Sequence, residues 1–162
     1  MSIKIYTTGG TVDKVYFDQK NTYQVGDPQA QGVLERANVV VDYEVVELFR
    51  KDSLDINDSD REIIFNAIKA DSASKIIITH GTDTMVSTAR FLKEIENKTI
   101  VLTGSMFPAQ YRDSDAVFNL GCAVIGVQTL PHGVFIAMNG RIFNPDHAVK
   151  NIELNRFELS EK

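Results

Sequence analysis

Threonines and glycines follow three short apolar runs of this chain. The segments are "IKIYTTGGT", "KIIITHGTDT" and "TIVLTGSMFP", which begin at residues 3, 75 and 99. Glycine allows the backbone to turn sharply and to approach a small ligand closely. A threonine hydroxyl becomes a nucleophile when a neighbouring base removes its proton, and a neutral lysine is one such base. Thr11, Thr82, Asp83 and Lys150 supply these residue types, and the hypothesis that they favour is a pocket that cleaves an amide.

The spacing of the glycines and histidines disfavours three other kinds of site. The segment "TTGGTVDK" has neither the GxGxxG spacing of a dinucleotide site nor the GxxxxGK spacing of a P-loop. The histidines at positions 80, 132 and 147 are far apart, and the sequence contains no HExxH or CxxC spacing for a metal. We therefore predict that the protein uses no metal and no other cofactor.

Strand and helix patterns alternate along the chain. The sequence predicts apolar strands at 3–7, 39–49, 75–79, 99–103 and 133–138, with "NGRIF" turning back after the last one. Helices are predicted at 28–38, at 84–95 and at 115–127. A further helix, the second in chain order, is predicted to begin at the capping-box spacing Ser59–Glu62. The second helix carries the apolar stripe Ile63, Ile64, Ala67 and Ile68, which we expect to be core packing. This alternation predicts a three-layer α/β sandwich with a mostly parallel central sheet and helices on both faces.

The polar segments that follow the strands are expected to meet. In an open α/β sheet, ligands bind beyond the carboxyl ends of the strands. The segments 8–11, 53–55, 80–83 and 104–105 all lie just beyond such ends, so they should line one pocket. Between residues 8 and 28, "KVYF" and "TYQV" predict a small hairpin in a long polar segment, and a loop of this length in a compact domain is typical of a functional segment.

Composition limits the class of protein and its partners. The 162 residues are enough for one ordinary domain, which we predict over 1–162. A formal net charge of −5 disfavours nucleic acid and anionic membrane as partners. No apolar run has the length of a membrane helix, and no secretory signal is visible at the N-terminus. Cys122 is the single cysteine, so we predict a cytoplasmic protein without an intrachain disulfide.

Several segments together carry a family resemblance. "TTGGT" (7–11) and "ITHGTDTM" (78–85) resemble the two signature segments of the bacterial-type L-asparaginase/glutaminase family. The agreement continues, in the family's order, through "TYQVG", "DSLD", "VLTGSMFP", "FNL" and "VKN". One departure lies beside the first signature, where "VDK" puts the charged residues Asp13 and Lys14 in place of the usual Ala-Gly.

The resemblance implies roles for five catalytic residues. Thr11 matches the threonine that accepts the acyl group, and Tyr23 matches the lid tyrosine that activates it, although Tyr16 is an alternative in the same segment. Thr82, Asp83 and Lys150 match a second catalytic set. The implied reaction is hydrolysis of the side-chain amide of L-asparagine, or of glutamine, to the acid and ammonia through a threonine acyl-enzyme.

The resemblance also implies a binding site for a small amino-acid amide. Ser53 matches the serine that binds the α-carboxylate, and Asp83 contacts the α-amino group. The backbone amides near Gly81 and Thr82 would stabilise the oxyanion. The complete set of expected binding residues is Gly10, Ser53, Leu54, Gly81, Thr82, Asp83 and Ser105.

The length of the chain leaves alternatives open. Family enzymes have a second, smaller domain, and the neighbouring subunit's copy adds an acidic group to each site; we expect that domain to be absent here. We therefore predict a homo-oligomer, at least a dimer. The alternatives are a weak or inactive module that binds aspartate or asparagine, an amidotransferase-like subunit that passes ammonia to a partner, and a fragment of a full-length asparaginase.

Overall fold

The structure is a computed structural model that describes residues 2–160. The ends of the predicted domain, residue 1 and residues 161–162, lie outside the described part. Ten strands are present in it: β1 (Ile3–Gly9), β2 (Lys14–Phe17), β3 (Thr22–Val25), β4 (Tyr43–Lys51), β5 (Lys75–Thr79), β6 (Thr99–Thr103), β7 (Gly133–Met138), β8 (Arg141–Phe143), β9 (Ala148–Asn151) and β10 (Arg156–Leu159). The α-helices of residues 2–160 are α1 (Ala30–Arg36), α2 (Asp58–Ala70), α3 (Met85–Phe91) and α4 (Ala116–Thr129).

A six-stranded sheet forms the centre of the fold. Its strand order is β4-β1-β5-β6-β7-β8, and every neighbouring pair is parallel except β7 and β8. The antiparallel β8 is the predicted return of "NGRIF". Two separate hairpins, β2–β3 and β9–β10, lie outside the sheet. The pair β2–β3 is the predicted hairpin of the polar segment and is called the lid hairpin below.

Helices cover both faces of the sheet. On one face, α2, α3 and the 3₁₀ turn after α3 bury Ile64, Ile68, Met85, Ala89 and Leu92 against the isoleucines and leucines of β5, β6 and β7. On the other face, α1 and α4 contribute a second buried cluster: Ala30, Val33, Leu34, Leu120, Ala123 and Val127. Because β5, β6 and β7 are covered on both sides, their central residues are apolar, whereas the edge strand β4 carries charged residues. The predicted three-layer α/β sandwich with its lid hairpin is therefore confirmed.

Two predicted element boundaries are wrong for identifiable reasons. The strand predicted to begin at residue 39 begins at Tyr43, because Tyr43 is the residue that pairs with Ile3 at the start of β1. The capping box of α2 is formed by Asn57 and Asp60 instead of Ser59 and Glu62. The earlier start lets the Asp60 carboxylate accept a hydrogen bond from the Asn57 amide while it also contacts Lys51 at 2.7 Å.

Other differences concern side-chain burial and short elements. Ile63 is 49% exposed and does not belong to the core, whereas Ile64 and Ile68 are fully buried one turn apart. The helix predicted to end at residue 95 ends at Phe91, and a 3₁₀ turn follows over Leu92–Glu94. The hairpin β9–β10 was missed, because its strands have only four residues each and are not strongly apolar.

Candidate active site

The backbones at the ends of β1 and β5 touch where the two signature segments lie. A Cβ atom added to Gly10 would lie 2.4 Å from the amide nitrogen of Gly81, so any side chain at Gly10 would collide with backbone. Gly10 also has φ +83, a conformation that L side chains rarely adopt. The two glycines thus bring Thr11 and Thr82, the residues that follow them, to the same rim of the sheet.

A third segment completes this rim. Ser53 begins a 3₁₀ turn after β4 and is 1% exposed. Its Cβ would be 2.4 Å from a Cβ added to Gly81, so the segment packs directly on the second signature. The Ser53 Oγ accepts a hydrogen bond of 3.1 Å from the Asp83 amide, and its carbonyl accepts one of 2.7 Å from Thr84 Oγ1. Ser53 is therefore fixed beside Asp83.

Lys150 lies against the second signature although 67 positions separate it from Asp83. Its Nζ donates to Thr82 Oγ1 at 2.8 Å and to Asp83 Oδ1 at 2.7 Å. Its side chain is 18% exposed and that of Asp83 is 39% exposed. In β9, Lys150 pairs with the buried Phe157 of β10, so the hairpin missed from the sequence is the element that positions the lysine.

This arrangement can move a proton to and from Thr82. A lysine amine within hydrogen-bond distance of a threonine hydroxyl has the geometry of a nucleophile and its base. The Asp83 carboxylate holds the lysine on its other side and, because it remains partly exposed, can also meet an ammonium group from solvent. Thr82 itself is 5% exposed.

A buried hydrogen-bond chain fixes the backbone behind this set. Arg61 Nε donates to Thr88 Oγ1 at 3.2 Å, and Thr88 Oγ1 lies 2.9 Å from His80 Nε2. The other ring nitrogen, Nδ1, is 2.7 Å from the carbonyl oxygen of Gly81. Burial lowers the pKa of His80 to about 4, although the Gly81 carbonyl opposes this shift. A neutral His80 that accepts from Thr88 and donates to Gly81 satisfies every contact in the chain.

Thr11 begins the turn that follows β1. The turn is a single 3₁₀ turn, Thr11–Asp13, in which Thr11 is half-buried and Val12 and Asp13 are buried. It is held by a 3.2 Å hydrogen bond from the Asp13 amide to the Gly10 carbonyl and by a 3.0 Å bond from the Ala109 amide to the Val12 carbonyl. The loop after β6 therefore also supports the turn that carries Thr11.

The two lid tyrosines lie side by side in the structure. Tyr16 and Tyr23 pair across the lid hairpin, with ring centroids 5.4 Å apart. The Tyr23 hydroxyl accepts a hydrogen bond from Tyr111, and the Tyr16 hydroxyl donates to Asn21. Tyr111, from the loop after β6, was not singled out from the sequence because nothing in its spacing links it to the lid.

The remaining predicted binding residues differ in accessibility. Leu54 is 74% exposed next to the buried Ser53. Ser105 is 1% exposed, and its hydroxyl donates to the Phe107 carbonyl at 2.5 Å within the loop after β6. Among residues 2–160, no group of three or more histidine, cysteine, aspartate or glutamate side chains is arranged to hold a metal ion.

Known proteins resemble the chain over nearly its whole length. The family profile described as "Asparaginase, N-terminal" matches residues 2–158. The protein named "Probable L-asparaginase periplasmic" of Haemophilus influenzae is 32% identical over 161 residues, which cover 92% of this chain and 46% of that protein. "L-asparaginase 2-3" of Saccharomyces cerevisiae is 33% identical over 156 residues, or 87% of this chain and 42% of that protein.

The fold agrees with these relatives. The solved thermostable L-asparaginase from Thermococcus kodakarensis superposes with a TM-score of 0.84 and 27% identity over 98% of this chain and 51% of that one. The chain thus spans about half the length of the relatives that it matches. The predicted resemblance is confirmed: this chain belongs to the asparaginase family, and it matches the N-terminal domain of that family.

Proposed function

We propose that this protein is an asparaginase-type amidohydrolase that cleaves the side-chain amide of a small amino acid. The observation that carries the proposal is the contact of Lys150 Nζ with both Thr82 Oγ1 and Asp83 Oδ1 in a chain of this family. A module that only binds aspartate or asparagine needs Ser53 and Asp83, but it has no use for a lysine on a threonine hydroxyl.

The proposed reaction forms and then hydrolyses an ester on Thr11. The Thr11 hydroxyl oxygen adds to the amide carbon, its proton passes through the basic groups of the site to the leaving nitrogen, and the C–N bond breaks to release ammonia. Water then attacks the ester, so the carboxylic acid leaves and the Thr11 hydroxyl is restored. Thr82, Asp83 and Lys150 form the proton-transferring set, and the backbone amides at Gly81 and Thr82 stabilise the oxyanion.

The proposed substrate is L-asparagine, with glutamine as a second candidate. Ser53 offers a fixed hydroxyl for the α-carboxylate, and Asp83 offers an accessible carboxylate for the α-ammonium group. Relatives of this chain are named L-asparaginase and glutaminase-asparaginase. The remaining predicted contacts, at Gly10, Leu54 and Ser105, belong to the same proposed site.

The second candidate function is binding without efficient turnover. It is favoured by the contact between Tyr23 and Tyr111, because in the proposed reaction the Tyr23 hydroxyl has to serve Thr11 instead. The 39% exposure of the Asp83 side chain also favours it, since water weakens the electrostatic interactions on which catalysis depends.

A homo-oligomer in the cytoplasm is part of the proposal. Helix α4 carries no charged residue in fourteen, although Val117, Phe118 and Ile125 are at least half exposed. Two chains of net charge −5 repel one another, and a neutral face that meets its own copy is where this repulsion is weakest.

The proposed location is the cytoplasm. A solved relative with 28% identity is named a probable cytoplasmic L-asparaginase, whereas the Haemophilus relative is named periplasmic. Among residues 2–160, no helix is long and apolar enough to cross a membrane.

Ammonia release from a panel of amides tests the proposal. The panel contains L- and D-asparagine, L-glutamine and an N-acyl amide, and each is incubated with wild type, Thr11→Ala and Thr82→Ala. Thr129→Ala is the matched control, because Thr129 is an exposed threonine at the far end of α4. We expect release from L-asparagine that both site variants abolish and the control retains. Binding of aspartate without any ammonia release would favour the second candidate.

A further inference from the structure

Asp13 is a buried carboxyl group two residues after the proposed nucleophile. It is 1% exposed and closes the 3₁₀ turn that Thr11 begins. A buried carboxyl group is unusual unless it has a partner or a task. The proposed reaction does not use this side chain, and the family resemblance assigns it no role because the family usually has alanine at this position.

Both ends of the lid hairpin are attached to this one residue. The chain leaves Asp13 directly into β2, and it returns from β3 through Gly26, whose amide donates to the Asp13 carbonyl at 2.8 Å. Three residues further along, the Gln29 amide donates to Asp13 Oδ1 at 2.8 Å, just before α1. Asp13 therefore holds the two ends of the loop of residues 14–25 together. Its backbone carbonyl binds Gly26, and its carboxyl group binds Gln29.

The charged groups around Asp13 come from three segments. On β4, Glu47 raises the pKa of Asp13 and Arg50 lowers it. Arg50 is itself paired with Glu47 at 2.8 Å and with Asp27 of the returning lid segment at 2.7 Å. Lys14, next to Asp13 in the chain, is paired with Asp52 at 2.7 Å. The nearby cations thus already have carboxylate partners.

We propose that Asp13 is a positioning residue that holds the lid hairpin against the Thr11 turn. Because Asp13 is 1% exposed and the nearby cations already have carboxylate partners, a negative charge on its side chain weakens this attachment. The proposal rests on the proposed function only in that Thr11 is taken as the nucleophile that the lid covers. Its geometric basis is the shared attachment of Gly26 and Gln29 to a residue of the Thr11 turn.

The direction of the pH effect follows from linkage. Burial raises the pKa of Asp13 to about 7, although the hydrogen bond from the Gln29 amide opposes this shift. In water an aspartate has a pKa near 4. Between these values the closed lid binds a proton that an opened, solvated Asp13 has released. Raising the pH across that window therefore favours opening, and above pH 7 the effect is complete.

Hydrogen exchange of the lid amides, corrected for intrinsic rates, tests the proposal on the full chain. In wild type, we expect the opening equilibrium of residues 14–25 to rise about tenfold or more between pH 5 and pH 7.5. Asp13→Asn keeps an oxygen acceptor for Gln29 without the charge, so its lid should be independent of pH and better protected than wild type at pH 7.5. Asp13→Ala removes the acceptor, so its lid should be open at both pH values.

Asp18→Asn is the matched control, because Asp18 is an exposed carboxylate at the tip of the same hairpin. It should keep the wild-type pH dependence. The proposal is overturned if the lid amides of Asp13→Ala are as well protected as those of wild type, or if Asp13→Asn keeps the wild-type pH dependence.

Ammonia release is measured on the same samples, where Asp13→Ala should raise KM or lower kcat. A pH-dependent lid without turnover in wild type would reject the proposed function while leaving the role of Asp13 intact.

Discussion

At the scale of single residues, the site depends on contacts between groups that are distant in the sequence. The Lys150 amine touches Thr82 and Asp83 across 68 and 67 positions, and the Ser53 hydroxyl is bonded to Asp83 across 30. Each of these side chains has a specific partner at 2.7–3.1 Å, so each substitution removes a defined interaction.

Removing the lysine amine should abolish most of the activity. Lys150→Met keeps the length of the side chain but takes away the group that contacts Thr82, and loss of a general base lowers turnover by about 10²–10⁴-fold. Ammonia release with L-asparagine measures this. Lys93→Met is the control, because Lys93 forms an exposed ion pair with Asp146 and not with Thr82 or Asp83. A Lys150→Met enzyme that retains a tenth or more of the activity contradicts the assignment.

The two proposed ligand-binding groups should contribute unequally to aspartate affinity. Losing a charged partner weakens binding by about 2–5 kcal/mol in a desolvated site, and losing a neutral hydrogen bond weakens it by nearer ~1 kcal/mol. Asp83 is partly exposed, so we expect Asp83→Asn to lose about tenfold in affinity, a little less than this range gives, and Ser53→Ala only a few-fold. Calorimetry with aspartate measures both variants. Equal binding by Asp83→Asn and wild type contradicts the predicted ammonium contact.

The sequence predicts which residues stand at the rim, but not how they are supported. Thr11, Ser53 and Thr82 follow strand ends and carry family motifs, so their positions can be predicted from order alone. The hydrogen-bond chain from Arg61 through Thr88 to His80 cannot be predicted in this way. It depends on the approach of α2 to α3, which no local sequence pattern encodes. The contact between Tyr111 and Tyr23 is missed for the same reason.

At the scale of elements, the sequence predicts the buried apolar strands correctly but does not predict the short polar ones. The strands β5 and β6 lie at their predicted bounds because both are buried on two faces and have three consecutive apolar residues at their centre. The β9–β10 hairpin has only two buried residues, Ala148 and Phe157, so its pattern is too weak to be recognised. The start of α2 was misplaced because Asn57 and Ser59 are both good caps, and the ion pair of Asp60 with Lys51 decides between them.

The pH dependence of stability should reveal two opposing buried groups. His80 has a pKa of about 4 in the folded chain, below its unfolded value near 6.5, so its contribution is complete above pH 6.5 and is lost as the pH falls towards 4. Asp13 has a raised pKa of about 7, so its protonated form stabilises the fold and that contribution is lost as the pH rises towards 7. The two effects largely cancel in wild type between these limits.

Removing one of the two groups should expose the other. Asp13→Asn should lose roughly 2 kcal/mol of unfolding free energy between pH 6.5 and pH 4.5, and the double variant with His80→Asn should lose little. Urea unfolding at the two pH values measures this. The range stops at pH 4.5 because Asp60 and Asp71, whose pKa values are lowered, begin to titrate below it. An Asp13→Asn protein with flat stability over this range contradicts a neutral His80.

At the scale of the whole molecule, the charge-free face of α4 is the expected contact between copies. Phe118 is 60% exposed on this face, and the neighbouring Gly121 leaves open space beside it. Light scattering at micromolar concentration should give at least a dimer for wild type and a monomer for Phe118→Ser. Val40→Ser is the control, because Val40 is 94% exposed in the connection between α1 and β4. A wild-type monomer, or a Phe118→Ser dimer, contradicts this interface.

The central claim concerning the whole molecule is that a threonine at the rim carries the acyl group during amide hydrolysis. The most direct measurement is mass spectrometry of protein that has been quenched in acid during turnover of L-asparagine, followed by peptide mapping. We predict an aspartyl ester on the peptide that contains Thr11, which is absent from Thr11→Ala. Ammonia release by wild type without an adduct on that peptide, together with full activity in Thr11→Ala, would contradict the account.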